Sequence, residues 1–458
     1  MANWQQGELI EIEITDLSDT GDGVGRWQER VVFVPDSVPG DRVIVRLVHT
    51  KRQYAQGKLQ KLIESSSHRI RPSCIVADKC GGCQWQHINY DYQLQAKHNQ
   101  VVQALERIGG FQQISVDPVL PAPSPLDYRN KVTYPLALST TGTIQAGYYQ
   151  KGSHKLINLN QCPVQDSRLN PFLTEIKQDI QSSGWQVYDE KRHQGHIRHL
   201  SLRIGRRTGE ILLTLVVNQR LLPGIKELAQ GWLDHYPPLV GVMLNLNNDR
   251  TNTIFGKETH CIAGIPYLTE KFAGLEFQIR GDTFFQVYTE TAEALLEVIK
   301  SELKLTGDEI VIDAYCGIGT LTLPLAKQVR QVIGLEVQGS AVAQATFNAQ
   351  HNGIENVSFQ VGAVEKILPQ MHLQPDIVLL DPPRKGCERA VIDSLRQSRP
   401  NHIVYVSCKA STFARDLKLL CDNGMYNLKR VQPADFFPQT SHVEVAAFMS
   451  LSSTGKHT

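Results

Sequence analysis

EIVIDAYCGIGTLTLPLA, residues 309–326, decides how the rest of the chain is read. Strand formers from Ile310 to Ala314 run into a Tyr-Cys-Gly-Ile-Gly turn, and an apolar helix opens beyond it. Gly317 and Gly319 permit a tight turn and a close approach of backbone to a ligand. The following segments repeat the alternation. QVIGLEV, VSFQVG, DIVLLDPP, HIVYVSC and VEVAAFMSL read as strands, with helices such as SAVAQATFNAQHNG and STFARDLKLLCDNG between them. Ahead of them, TETAEALLEVIKSEL sets Ala292, Leu295, Leu296, Ile299 and Leu303 on one helical face. From about residue 280 this predicts a doubly wound α/β sheet.

Such sheets keep their ligands at the carboxyl ends of the strands, so the residues there are the candidates for chemistry. The second strand ends in Glu336, 23 residues after Asp313, where a carboxylate can accept hydrogen bonds from ribose hydroxyls. The third glycine of the dinucleotide fingerprint is missing, since Leu321 and Thr322 stand beyond CGIGT. With no pyrophosphate to cradle, an adenosine cofactor such as S-adenosylmethionine fits better than NAD. In DIVLLDPPRKG, residues 376–386, Asp381 closes a strand and two prolines stiffen the loop after it. Methyltransferases that act on amino groups use a similar loop, so this motif leaves the target atom open.

HIVYVSCKAST, residues 402–412, places the Cys408 thiol at another such strand end. Lys409 and the start of the next helix are expected to lower its pKa. Glu444, in FPQTSHVEVAAFM, opens the last strand. A thiol and a carboxylate suit one demanding reaction. Uracil C5 is a poor nucleophile until a thiolate adds to C6, and a base must then remove the C5 proton so that the thiolate can leave.

The bulk numbers set the frame. A chain of 458 residues with 41% hydrophobic and 20% charged side chains is an ordinary globular protein of two to four domains. It carries no apolar run long enough for a membrane span. MANWQQGELIEIEI lacks a secretory pattern, so the cytoplasm is the expected location. The tail STGKHT reads as disordered. Residues 5–64 alternate apolar and polar positions around the glycine turn TGDGVGR, which predicts a small barrel of the oligonucleotide-binding kind. The net charge of +1 hides a split. Residues 1–41 hold nine acidic and two basic side chains, whereas residues 42–71 hold eight basic ones against Glu64 alone. That basic run, with Tyr54 in it, points to RNA. A helix is predicted over roughly 90–108, with Leu94, Val101, Val102, Leu105 and Ile108 as its apolar stripe. Residues from about 127 to 280 mix strands and helices, as in an α+β domain. Cys74, Cys80 and Cys83, with the distant Cys162, supply four thiolates suited either to zinc or to an iron–sulfur cluster. The remaining cysteines, apart from Cys408, read as packing or loop residues.

Taken together, SCKAST, DFFPQTSHVE, DPPRKG and CGIGT resemble the family of RNA 5-methyluridine methyltransferases that use S-adenosylmethionine, and the likeness covers essentially the whole chain. It implies a Rossmann-like class I methyltransferase domain at 279–458, a central α+β domain at 65–278 and an N-terminal TRAM barrel at 1–64. It implies Cys408 as nucleophile and Glu444 as proton acceptor. It makes Gln286, Tyr315, Glu336 and Asp381 the cofactor contacts, and sets Phe284 and Phe285 near a flipped base. It gives the four clustered cysteines a [4Fe-4S] cluster. With TRAM domain and cluster together, large-subunit ribosomal RNA is expected as partner rather than tRNA, with the protein acting as a monomer away from membranes. The target uridine must leave its stack to expose C5 and C6. Two alternatives stand beside this reading. One is an amino-group methyltransferase using the DPPR loop alone, and the other is a non-catalytic RNA-binding assembly factor.

Overall fold

Alternating inward positions close the first sixty residues on themselves. The computed structural model describes residues 4–220 and 222–452. Strands β1 (Leu9–Leu17), β2 (Gly23–Trp27), β3 (Arg30–Val34), β4 (Arg42–Thr50) and β5 (Tyr54–Glu64) form a closed barrel in the order β1-β2-β3-β5-β4. Ile10, Ile12 and Ile14 point inward from β1 and meet Val43, Val45 and Leu47 of β4. Gly57 sits in β5 where a side chain would strike Val45. Closure removes every free strand edge.

Helix α1 (Tyr90–Ala104) follows, and its buried face differs from the predicted stripe. Gln93, Lys97, Val101 and Ala104 are buried, while Ile108 is exposed. The two polar residues are inside because they have partners there. Gln93 exchanges hydrogen bonds with Gln439, and Lys97 donates to Asp435 Oδ1 at 2.6 Å and to the Phe437 carbonyl at 3.0 Å. Val101, Ala104 and Leu105 join the apolar core of the C-terminal sheet.

The middle of the chain builds a seven-stranded sheet from β6 (Lys131–Leu138), β7 (Ile144–Tyr149), β8 (Leu156–Asn158), β9 (Ile197–Ile204), β10 (Ile211–Val217), β11 (Leu239–Leu246) and β12 (Glu258–Gly264), in the order β12-β11-β10-β9-β6-β7-β8. Helix α2 (Asn170–Ser182) shares its apolar core, and α3 (Ile225–His235) links the one parallel pair, β10 and β11. A hairpin of β13 (Leu268–Phe272) and β14 (Leu275–Ile279) leads to α4 (Thr289–Leu303).

The last sheet contains β15 (Ile310–Ala314), β16 (Gln331–Glu336), β17 (Val357–Val361), β18 (Ile377–Leu380), β19 (His402–Ser407), β20 (Tyr426–Ala434) and β21 (Glu444–Leu451). Its order is β17-β16-β15-β18-β19-β21-β20, parallel except where β21 pairs with β19 and β20. Strands β18 and β19 are covered on both faces, which is why they read as unbroken apolar runs. This is the class I methyltransferase fold. Among the described residues no helix is long and apolar enough to cross a membrane. The tail at 453–458, expected to be disordered, lies outside the described residues.

The side chains of Lys97 and Asp435 are both fully buried. Desolvation holds the Lys97 ammonium below its ordinary pKa even with Asp435 beside it. Removing one partner would leave an uncompensated buried charge. Lys97→Met is expected to lower stability by about 3–5 kcal/mol in urea unfolding, and Lys97→Met with Asp435→Asn is expected to recover much of that loss.

Candidate active site

Parallel pairing brings four strand ends level. Asp313 lies between Gly334 of β16 and Leu379 of β18, and the β15–β18 register runs on to set Tyr315 beside Asp381. On the other side β18 leads to β19 and so to Cys408. Antiparallel β21 then closes the site. Its register pairs Ser407 with Val445, and the next step sets Cys408 across from Glu444.

The electrostatics follow from this crowding. Burial, then repulsion from Asp381, raises the Glu444 carboxyl well above its usual pKa, against the pull of Arg384. Burial, then the charge of Asp313, pushes Asp381 up to about 7. Asp313 is itself pushed up to about 7 by burial, although its carboxylate accepts the Thr322 hydroxyl at 2.5 Å. The Cys408 thiol is raised, first by desolvation and then by Glu444. That reverses the expectation of a lowered thiol. Lys409 is not among the leading influences on it; the leading opposing cation is Arg384 of the DPPR loop, which acts by charge and by hydrogen bonding. Arg384 was legible in DPPRKG only as part of a stiff loop, because nothing local shows that it faces residue 408.

That loop is latched to the helix after Cys408, α9 (Ala410–Cys421). Fully buried Asp416 accepts the Cys387 backbone N–H at 2.9 Å and the Tyr405 hydroxyl at 2.6 Å, and Thr412 donates to the Arg384 carbonyl at 3.2 Å. Gly386 has φ 77°, and a side chain there would meet Asp416 and Arg415. Cys387, read as a packing residue, interacts with both Tyr405 and Tyr315.

The other expected residues fall around the same mouth. Glu336 accepts the Gly317 N–H at 3.1 Å and the Gln338 N–H at 2.8 Å, so it shapes the glycine turn it faces. Tyr315 takes a left-handed backbone, φ 72°, at the start of that turn. Gln286 and Asp381 line one cavity with Thr320, Leu321 and Phe436. The two phenylalanines before Gln286 separate. Phe284 is 63% exposed, whereas Phe285 is 2% exposed and packs on Phe272 and Phe277, so it belongs to the core and not to a base-contacting surface.

The four clustered cysteines lie apart from this mouth. Cys74, Cys80, Cys83 and Cys162 line one pocket with Arg129 and Tyr148. Among the described residues no group of three or more His, Cys, Asp or Glu side chains is arranged to hold a metal ion; the four thiols ring a space. Burial raises the thiols of Cys80, Cys83 and Cys162, with Cys83 reaching about 12. Two donors already reach sulfur, Gly82 N–H to Cys80 at 3.4 Å and Gln86 Nε2 to Cys83 at 3.6 Å. On the barrel and the segment just after it, Arg42 is paired with Glu11 and Glu64, and Arg69 with Asp41. Arg46, Lys51, Arg52, Lys58, Lys61 and Arg71 are exposed and form no salt bridge with the described residues.

A family model described as tRNA (Uracil-5-)-methyltransferase matches residues 89–452. The chain belongs to the tRNA (uracil-5-)-methyltransferase family. A TRAM-domain model matches residues 3–59 of this methyltransferase, which includes most of the closed barrel. An uncharacterized RNA methyltransferase of Nostoc sp. (strain PCC 7120) is 72% identical over 455 residues, 99% of each chain. Another, from Halalkalibacterium halodurans, is 38% identical over 451 residues, 98% of each chain. Among solved structures, the tRNA (uracil-54, C5)-methyltransferase of Pyrococcus abyssi, in complex with S-adenosyl-L-homocysteine, is similar with a TM-score of 0.77 and 29% identity, over 96% of this chain and 100% of that one. The protein is therefore an enzyme, an RNA methyltransferase.

The raised carboxyls make stability depend on pH in a defined direction. Below about pH 4 Asp381 is protonated in both folded and unfolded chains. Above that the unfolded chain releases its proton first, so stability falls until the folded carboxyl ionises as well, near pH 7. Asp381→Asn is expected to be more stable than the parent at pH 8, by on the order of 2 kcal/mol, with the gain vanishing toward pH 4. Urea unfolding at the two pH values checks it.

Proposed function

We propose that this enzyme transfers a methyl group to C5 of a uridine in structured RNA through a transient covalent bond to Cys408, with S-adenosylmethionine as donor. The observation that carries the reading is the facing pair of Cys408 and Glu444 on neighbouring antiparallel strands, with Arg384 and Asp381 at the same mouth. The sulfur of Cys408 adds to C6, and the electrons of the C5–C6 double bond move toward the C4 carbonyl. Cys408 gives up its proton before it adds, and Arg384 favours that step by drawing the thiol back toward the thiolate, although burial and Glu444 together still hold its pKa raised. S-adenosylmethionine, when bound, supplies the methyl group that C5 takes up and leaves as the neutral sulfide. Glu444 removes the C5 proton, the C6–S bond breaks, and the Cys408 thiolate is returned. The burial that raises the proton affinity of Glu444 makes it a stronger base, as a carbon acid requires. Gln286, Tyr315, Glu336 and Asp381 hold the donor, a role suited to the cavity and the glycine turn they line.

The four-thiol pocket supports a [4Fe-4S] cluster on Cys74, Cys80, Cys83 and Cys162. Its donor set is all sulfur, two N–H groups already point at sulfur, and the Tyr148 hydroxyl is buried without a partner. Such a cluster would act structurally, since its pocket lies apart from the strand ends. We take residues 1–64 to hold RNA through the unpaired basic residues of the barrel, 65–278 to carry the cluster, and 279–458 to transfer the methyl group. Large-subunit ribosomal RNA is the proposed substrate. The likeness to a tRNA enzyme over nearly the whole chain makes tRNA the comparison to run beside it.

The enzyme is incubated with S-adenosylmethionine and 5-fluorouridine-substituted RNA, ribosomal fragments and tRNA in parallel, then run on denaturing gels. Fluorine at C5 cannot leave as a proton, so a covalent band is expected with the ribosomal fragments. Cys408→Ala is expected to abolish it. Glu444→Gln is expected to leave a covalent band on ordinary RNA, with turnover lowered by roughly 10²–10⁴. Methylated ordinary RNA with no trapped band would move the target off C5 and favour the amino-group reading. A band with tRNA alone would move the substrate.

A further inference from the structure

We infer that Arg129 is the built-in counter-charge of an anionic group in the four-thiol pocket, with the Tyr148 hydroxyl as a hydrogen-bond donor to the same group. The inference rests on the cluster reading above. Arg129 lines that pocket together with all four cysteines. Its one side-chain hydrogen bond within the described residues runs from Nε to the Lys131 carbonyl at 3.1 Å, and it forms no salt bridge with a described carboxylate. Its strongest electrostatic neighbours are Tyr148, Tyr128, Cys83 and Cys162.

The placement is held firmly. The Arg129 N–H donates to the Val164 carbonyl at 2.9 Å, and the Arg129 carbonyl accepts from Asp166 N–H at 3.1 Å. The guanidinium is thus carried on the same segment pairing that presents Cys162. An arginine keeps its charge at any accessible pH. Arg129 is half-buried, so solvent restores only part of its hydration and a cation held there without an anion still carries a desolvation cost. With neutral thiols the pocket holds one positive charge and nothing to balance it. Four thiolates on a [4Fe-4S] core give a net anion, which places opposite charge on the guanidinium. Tyr148 completes the set, since its hydroxyl is buried and unpartnered and interacts with Cys162, Cys83 and Cys80. Charge and donors around a cluster help set its stability and potential.

The test compares wild type, Arg129→Gln, Arg129→Lys and Tyr148→Phe as full chains purified without oxygen. Iron and acid-labile sulfide are measured first on the wild type. If none is retained after reconstitution, the cluster reading fails before any variant is considered. With the cluster present, its loss to a chelator is followed by visible absorbance, and thermal unfolding is followed on the chelator-stripped chain. Arg129→Gln is expected to lose the cluster at least five-fold faster, yet the stripped variant should unfold at a higher temperature than stripped wild type. Arg129→Lys should restore slow loss, and Tyr148→Phe should fall between. A merely structural arginine would destabilise both forms in the same direction, and that result, or unchanged cluster loss in Arg129→Gln, would overturn the assignment. Should stripped chains fail to fold, the Gln-against-Lys contrast in cluster loss decides alone, with equal rates overturning it.

Discussion

Too much negative charge has to fit in one buried mouth. Asp313 and Asp381 sit at the ends of neighbouring β15 and β18, and Glu444 opens β21 one strand beyond β19, with Glu336 facing Asp313 across the glycine turn. Arg384 is the leading cation acting on both Cys408 and Glu444 among the described residues. Not all of these groups can be ionised together in a site screened from water. Asp313, Asp381 and Glu444 therefore carry raised pKa values, and a positive charge brought among them would favour their ionised forms. The crowding that weakens the fold at high pH thus suits the sulfonium donor proposed above. Stability and function pull in opposite directions on the same side chains.

Such a site works only if its parts cannot relax apart, and the structure pins each carrier from behind. Asp416 binds the Cys387 backbone and the Tyr405 hydroxyl, so the loop bearing Arg384 and the strand leading to Cys408 move as one. Lys97 holds Asp435 and the Phe437 carbonyl, which fixes the start of the loop leading to Glu444. Both pins are charged groups fully removed from solvent. Asp416 accepts hydrogen bonds on both carboxylate oxygens, whereas the bonds Lys97 makes offset only part of its desolvation.

The fold was legible where periodicity is strong. The alternation after residue 309 gave the doubly wound sheet, and the glycine turn, Asp381, Cys408 and Glu444 all sit where strand ends were expected. What the sequence could not give were contacts between distant segments. The stripe on α1 was read from apolar residues, but its buried face is partly Gln93 and Lys97, which bond across to Gln439 and Asp435 more than 300 positions away. Lys409 looked like the activating cation because it adjoins Cys408, whereas the group that faces the thiol comes from the DPPR loop. Phe284 and Phe285 share a composition and a neighbourhood, yet only the backbone decides that one is exposed and the other is core.

One loop joins the distant parts to the chemistry. Between Asp435 and Glu444, Gln439 takes a left-handed backbone, φ 69°, unusual for a residue with a side chain. Its carbonyl accepts the backbone N–H groups of Gln84 at 3.1 Å and Trp85 at 3.0 Å, while its own N–H donates to Gln93. Two residues on, Ser441 donates to the Asp19 carbonyl in the barrel at 2.9 Å. Gln84 directly follows Cys83. Whatever orders the thiol pocket therefore orders the two N–H groups that hold Gln439, five residues before the carboxylate at the start of β21. Whatever keeps Cys83 still therefore bears on where Glu444 stands, because the two are linked through Gln84, Trp85 and Gln439.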